Sequence, residues 1–221
     1  MVMQERSFVP ALGKSEFTNS YDKVIAVMTR EKRWRPLVVN ALALQTGETV
    51  VDIGAGTGSQ AILLKQAVPG IRIIGIDPDP DVLAIARAKA EAAAVEVDWR
   101  QGFGDEADQI AGSEIADAVV SSLVLHQCPM EVKSGILAAA NRVLKPGGRL
   151  VIADFGLQRT FLMRTLFRQV QAVDGYEYTQ PNAEGILAEL IPAAGFTNFE
   201  ERHVFPTHTG SISIYCALKP S

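Results

Sequence analysis

The sequence predicts an α/β fold in three layers, with helices on both faces of a seven-stranded, mainly parallel sheet that takes one antiparallel strand from a C-terminal hairpin. Three observations lead there. Five apolar runs alternate with segments of helical period between residues 50 and 155, and strands alternating with helices build parallel sheets covered on both faces. The first of these runs passes directly into a glycine-rich turn and a helix. Two segments of period 2 close the chain across the short link P-T-H-T-G, which predicts an antiparallel hairpin.

Taken in order, residues 1–19 show no periodicity and read as a loose arm. Tyr21 to Leu44 reads as helical, with Val24, Ile25, Met28, Leu37, Val38 and Leu42 apolar. Pro36 should divide it into two helices, since an interior proline removes a hydrogen bond and clashes with the preceding turn. The first strand, Val50 to Ile53, leads through a turn into a helix from Thr57 to Val68, and Ile71 to Ile76 forms the second strand. The next helix has an N-cap in Asp79, proline at the first helical position in Pro80, and Asp81 favourable to the helix dipole. Its Val82, Ile85 and Ala86 share the face turned to the sheet. Val95 to Arg100, Ile115 to Ser121 and Leu150 to Phe155 are the remaining parallel strands. Met130 to Leu144 is the helix before the last of them, and Lys145-Pro-Gly-Gly148 ends that helix. Helices then span Phe161 to Val173 and about Pro181 to Ala194. The closing strands run from Thr197 to Phe205 and from Ser211 to Leu218.

Composition bounds the function. The chain has 221 residues, 48% hydrophobic and 21% charged, with a net charge of −4. This suits one globular domain with a sizeable core and excludes the basic balance of a general nucleic-acid binder. No apolar run reaches the roughly 18 residues needed to span a bilayer. The N-terminus carries Glu5 and lacks a hydrophobic leader. Cys128 and Cys216 are the only cysteines, too few for a disulfide framework, which points to a cytoplasmic protein. A zinc site needs about four ligands; His126 and Cys128 share one loop while His203 and His208 fall elsewhere, so no metal is expected.

The chemistry concentrates between Val50 and Asp77. The segment Val51-Asp52-Ile53-Gly54-Ala55-Gly56-Thr57-Gly58 is a strand end, a glycine turn and a helix start, and the second strand ends on Asp77, 23 residues after Gly54. Glycine allows positive φ and close ligand approach, and an acid at that distance accepts hydrogen bonds from ribose hydroxyls. Dinucleotide folds use G-x-G-x-x-G against a pyrophosphate. Here the spacing is G-x-G-x-G, and the Asp52 carboxylate beside the turn would repel a pyrophosphate but suit an ammonium group. S-adenosyl-L-methionine carries a ribose, an adenine, a sulfonium and an amino-acid tail.

The segments D-I-G-A-G-T-G and G-I-D resemble the first two motifs of class I S-adenosylmethionine-dependent methyltransferases, a Rossmann-like family. A-D-A-V-V-S-S-L-V-L-H, N-R-V-L-K-P-G-G-R-L-V-I-A-D-F and Arg33-Trp34-Arg35 are similar to stretches of the ubiquinone and menaquinone C-methyltransferase branch. The resemblance runs from about Tyr21 to the C-terminus. It implies a single methyltransferase domain over 1–221, in which an N-terminal arm and helices (1–46) precede a cofactor-binding core (47–155), a substrate lid insert (156–180), and a C-terminal helix and hairpin (181–221). It implies S-adenosyl-L-methionine as cofactor, held by Asp52, Gly54, Ala55, Gly56 and Gly58, by Asp77 at the ribose, by Pro78 along the adenine plane, by Gly102, and by Tyr21 at the methionine carboxylate. The family commonly has Gly-Asp after the third strand, whereas this chain reads Gln101-Gly102-Phe103-Gly104-Asp105. Either Phe103 packs on the adenine, or Asp105 takes over the family carboxylate's role.

Ser121 and Ser122 leave the fourth strand at its carboxyl end, where ligands of open α/β sheets bind; Ser121 is equally a plain strand-end serine. His126 is the titratable candidate for acid–base catalysis near the transfer site, against the reading of a structural loop histidine. Trp34, Tyr176 and Tyr178 are candidate substrate-contacting aromatics, and Phe167 with Tyr176 would belong to an apolar lid. Two basic runs, Lys23 to Arg35 and Arg159 to Arg168, are either solvated faces or an electropositive rim that draws an anionic or membrane-associated substrate. The expected function is methyl transfer to a small-molecule acceptor: quinone-like, lipid or another metabolite. Peripheral membrane contact is compatible with it, and no transmembrane segment or nucleic-acid partner is expected. The alternatives are a non-catalytic S-adenosylmethionine-binding partner protein and, against the glycine spacing, an NAD-dependent oxidoreductase.

Overall fold

The computed structural model describes residues 27–221. One seven-stranded sheet runs through it. In chain order the elements are α1 (Glu31–Leu42), β1 (Thr49–Ile53), α2 (Ser59–Ala67), β2 (Arg72–Asp77), α3 (Pro80–Ala92), β3 (Asp98–Gln101), α4 (Ala107–Ala111), β4 (Ala116–Ser122), α5 (Met130–Val143), β5 (Leu144–Phe155), α6 (Phe161–Asp174), α7 (Tyr176–Glu184), α8 (Leu187–Ala193), β6 (Thr197–Thr207) and β7 (Gly210–Leu218). The strand order is β3-β2-β1-β4-β5-β7-β6. Pairs among β1 to β5 are parallel. β7 runs antiparallel to both neighbours, so it is the single antiparallel strand.

The apolar runs explain why the sheet is covered twice. Along β1 and β2, Val51, Ile53, Ile74 and Ile76 enter one buried cluster, with Ile136, Val143, Leu187 and Ile191 of α5 and α8. Their neighbours Val50 and Ile73 enter the other, with Trp34, Val38 and Leu42 of α1, Leu64 of α2 and Phe167 of α6. A strand buried on both faces reads as a continuous apolar run, as these do. Each fully buried Val, Leu or Ile contributes about 1.5–3 kcal/mol.

Local signals hold in most places. Asp79 Oδ1 accepts from the Asp81 and Val82 amides at 2.9 and 3.3 Å, with Pro80 at the helix start. The hairpin pairs Thr207 with Gly210 across a two-residue turn. Three boundaries differ from the sequence reading. The N-terminal helical stretch breaks at Arg30, left-handed at φ 56°, and Pro36 sits inside α1. Both Pro36 and Lys32, whose carbonyl loses its partner, are exposed, so water can satisfy that carbonyl. The helix expected from Pro181 to Ala194 is two helices, with Pro181 inside α7 and left-handed Gly185 ending it. Lys145-Pro-Gly-Gly148 lies within β5 as an irregularity, where the register against β4 jumps from Ala116↔Leu144 to Ala118↔Arg149. Tyr21, Lys23 and the arm of residues 1–19 lie outside the described residues.

Candidate active site

The carboxyl ends of β1, β2 and β4 open on a cleft of about 850 Å³, bordered by residues of the turn after β1, the acid end of β2, the loops after β3 and β4, the first turns of α5, and one residue each of α1 and α7. Ligand cavities commonly fall in the range of about 300–1,000 Å³. Of the residues singled out from sequence, Gly54, Ala55, Gly56, Asp77, Pro78, Phe103 and Ser122 line it, and so does Asp105.

The turn is built by its side-chain surroundings. A Cβ on Gly54 would lie 2.3 Å from Val124 Cγ2, and one on Gly58 would lie 2.7 Å from the Trp99 ring. Gly56 is different: it has φ 54°, and a Cβ there would meet nothing within 4 Å. It faces the open cleft, with room for a ligand against its backbone. Asp77 ties the turn down. Its Oδ2 accepts from the Gly56 amide at 2.8 Å and its Oδ1 from the Asp79 amide at 3.0 Å. The Gly54 and Ala55 amides both donate to the Ile76 carbonyl. Burial raises the Asp77 pKa, opposed by the Asp79 and Gly56 amides.

Asp52 lies beneath the turn. It is completely buried, and neither carboxylate oxygen has a hydrogen-bond partner. Burial pushes its pKa up to about 7, against the pull of Arg35 and with a further push from Asp77. An unpaired buried carboxylate is costly, and a cation entering the cleft would relieve it. Arg35 reaches the cleft wall from α1. It donates from Nε to Glu31 at 2.7 Å and from Nη1 to Gln60 at 3.2 Å and Ser122 at 3.4 Å. The sequence marked Arg35 as part of a basic run and of the Arg33-Trp34-Arg35 stretch, without a place at the cofactor. Its position in the wall was not legible, because it depends on how α1 packs over β1 and β4.

Three sequence candidates support the wall from behind. Ser121 is buried and donates to the Ile53 carbonyl at 2.8 Å. The Gly102 amide donates to the Asp77 carbonyl at 3.1 Å, and Gly58 caps α2. The aromatic candidates separate. Trp34 is fully buried and donates to the Thr29 carbonyl at 3.0 Å, so it belongs to the core. Phe167 is buried, Tyr176 is exposed, and Tyr178 lines the cleft.

His126 also sits behind the wall and is buried. Nδ1 is 2.7 Å from Asp154 Oδ1 and Nε2 is 3.3 Å from Asp174 Oδ2. Burial alone lowers its pKa, but the Asp154 and Asp174 carboxylates outweigh burial and raise it to about 9. An imidazolium with both nitrogens facing carboxylates has no lone pair with which to take a proton. Asp154, which falls in the stretch N-R-V-L-K-P-G-G-R-L-V-I-A-D-F but receives no role from the sequence, organises this loop: Oδ2 accepts from the Val124 and Leu125 amides at 3.0 and 2.7 Å, and Oδ1 from the Phe155 amide at 2.7 Å. These bonds hold Leu123 in a left-handed conformation at φ 58°, an uncommon state for leucine at a point where it lines the cleft. Burial pushes the Cys128 thiol up to about 11, so little of it is thiolate at neutral pH.

The residues present fit S-adenosylmethionine. They comprise an unpaired buried carboxylate, a guanidinium, a turn open at Gly56, an acid at the end of β2, and the apolar surfaces of Pro78 and Phe103. Comparison with known proteins agrees. A family model described as a methyltransferase domain matches residues 50–148. The demethylmenaquinone methyltransferase of Tropheryma whipplei strain Twist is 32% identical over 221 aligned residues, covering 90% of this chain and 87% of the relative. That of Renibacterium salmoninarum is 31% identical over 179 residues, covering 75% and 68%. The fold is shared with Haemonchus contortus phosphoethanolamine N-methyltransferase 2 in complex with phosphomonomethylethanolamine and S-adenosylhomocysteine, at TM-score 0.75 and 16% identity over 94% of this chain and 58% of that one. With the fold, the turn-and-acid geometry and relatives along nine-tenths of its length in agreement, the chain belongs to the class I S-adenosylmethionine-dependent methyltransferases.

Proposed function

We propose that this enzyme methylates a quinone-like ring carried by an apolar molecule, taken up at a membrane surface. The supporting observation is the make-up of the cleft wall beyond the glycine turn: Leu123, Val124, Val132, Ile136 and Tyr178 present apolar and aromatic surface in the same cleft as Arg35 and Asp77. The names of the relatives agree with such an acceptor. The outer face of α6 supports the membrane part. Phe161, Leu162 and Val173 are 77%, 58% and 70% exposed; Arg164 and Arg168 lie exposed among them, and the one acid of α6, Asp174, is turned inward to His126. Apolar residues interleaved with arginines suit the interface of an anionic bilayer. Among the described residues, no helix is long and apolar enough to cross a membrane.

In this reading Asp77 takes the ribose hydroxyls, Pro78 and Phe103 cover the adenine, Asp52 faces the ammonium and Arg35 the carboxylate of the methionine tail. The bound sulfonium supplies an activated methyl group for direct displacement. The protein aligns the acceptor and keeps water out. α6 and α7 form the lid over the acceptor. His126 does not act as the base, because its nitrogens are engaged by Asp154 and Asp174.

Transfer of labelled methyl from S-adenosylmethionine to demethylmenaquinone in detergent micelles tests the reading. Labelled menaquinone is the expected product, and tight cofactor binding with no transfer to any quinone would reject the acceptor. The role of Asp52 has its own test. In the free protein its pKa of about 7 leaves it about half protonated at pH 7, and a bound ammonium favours the carboxylate, so binding expels up to about half a proton. Calorimetric titration with S-adenosylhomocysteine in buffers of different ionisation enthalpy reads this directly. Asp52→Asn should abolish the release and weaken binding about tenfold.

A further inference from the structure

Two buried cations of the core reach across to the corner between α6 and α7. Lys133 of α5 is fully buried, and its Nζ donates to the carbonyls of Leu125, of Cys128 at 2.8 Å and of Tyr178 at 2.9 Å. His126, on the loop after β4, faces Asp154 of β5 on one side and Asp174, the last residue of α6, on the other. Its ring stands nearly perpendicular to that of Phe155, and Phe155 in turn meets Phe167 of α6, each at 5.0 Å between centroids. Gly175 turns the chain at φ 88°, and three residues on, Tyr178 enters the wall of the cleft.

The two fastenings differ in kind. Lys133 grips main-chain oxygens and sets the distance of α7 from the loop. The contact of His126 with Asp174 is between side chains, and it fixes the end of α6 from which α7 departs. The cofactor end of the cleft needs neither: Gly54, Ala55 and Gly56 are held by Ile76 and Asp77. We propose that His126 and Asp174 form a positioning pair which, through the α6–α7 corner, seats Tyr178 against the methyl acceptor and so governs how well that acceptor is held. The role of Tyr178 toward the acceptor rests on the function proposed above; the seating of the corner does not.

Asp174→Asn tests the pair, since it keeps the shape of the side chain and removes its charge. The probes are demethylmenaquinone with a short isoprenoid tail, S-adenosylhomocysteine, and iodoacetamide at fixed pH. The expected result is an acceptor KM raised about tenfold, kcat changed less than about threefold, and S-adenosylhomocysteine affinity unchanged. Cys128, in the cleft wall beside Tyr178, should be alkylated about tenfold faster as the corner loosens, with buried Cys216 as the internal reference. Asp174→Glu, which restores the charge, should recover most of both effects. Unchanged KM and unchanged Cys128 reactivity would overturn the proposal. So would KM and cofactor affinity failing together, or an Asp174→Asn protein that does not fold, since either marks a purely structural contact. If the wild-type enzyme does not turn over the quinone, the acceptor reading fails, and the alkylation rate alone decides the pair: faster supports it, unchanged rejects it.

Discussion

Asp77→Ala is expected to weaken S-adenosylhomocysteine binding by about 100-fold, the largest effect of any single change in the cleft. Two hydrogen bonds to a charged carboxylate are lost, each contributing about 1.5 kcal/mol or more. The loss extends to the turn itself. The Gly56 and Asp79 amides both point at this carboxylate, so its removal frees the backbone that must lie against the ligand. Asp77→Asn should be milder, because one amide can still find an oxygen. Titration calorimetry on both variants is the check, with thermal unfolding to show that the sheet is intact. A tenfold effect or less for Asp77→Ala would remove Asp77 from the role proposed for it.

Asp154→Ala should have the largest effect on stability, about 3–5 kcal/mol, the cost of leaving a buried charge without its partner. The carboxylate accepts from three backbone amides and faces the His126 imidazolium. The same pair predicts a pH dependence. His126 titrates near 6.5 when unfolded and about 9 when folded, so its contribution is complete below pH 6.5 and is lost as pH rises through 9. Urea unfolding of the wild type should therefore show a midpoint that falls between pH 7 and pH 10. In His126→Gln that fall should be much smaller, and equal slopes in the two proteins would disprove the assignment.

How much of this could be read from residues alone depends on the range of the interaction. The turn at Gly54 to Gly58, the acid at Asp77, the cap at Asp79 and the final hairpin are local patterns, and each stands where the sequence puts it. Helix division was misread because Pro36 and Pro181 are strong local signals. A proline within a helix is tolerated where the carbonyl it strands is solvated, and Lys32 in α1 is exposed. His126 stays open in the sequence between an acid–base catalyst and a structural loop histidine, because its place after β4 is close to the cleft and its two partners, Asp154 and Asp174, come from strand and helix ends 28 and 48 residues further on. A signal was nevertheless present. Asp154 interrupts the apolar run Leu150 to Phe155 and Lys133 interrupts the apolar face of α5, and a charged residue at a core position must have a partner. Arg35 gave no such sign.

The strand order has a consequence for how such an enzyme can change. Strands β1 to β5 all finish on one edge of the sheet, and the nucleoside grip proposed above draws on the segments that follow β1, β2 and β3. The segments after β4 and β5 reach the same edge from the other half; Val124, after β4, packs on the turn at Gly54, whereas the segment after β5 borders the cleft through Tyr178. Lengthening or exchanging the segment after β5 would redraw the acceptor's berth while leaving the nucleoside clasp untouched, so that one inherited half-sheet can serve many different recipients.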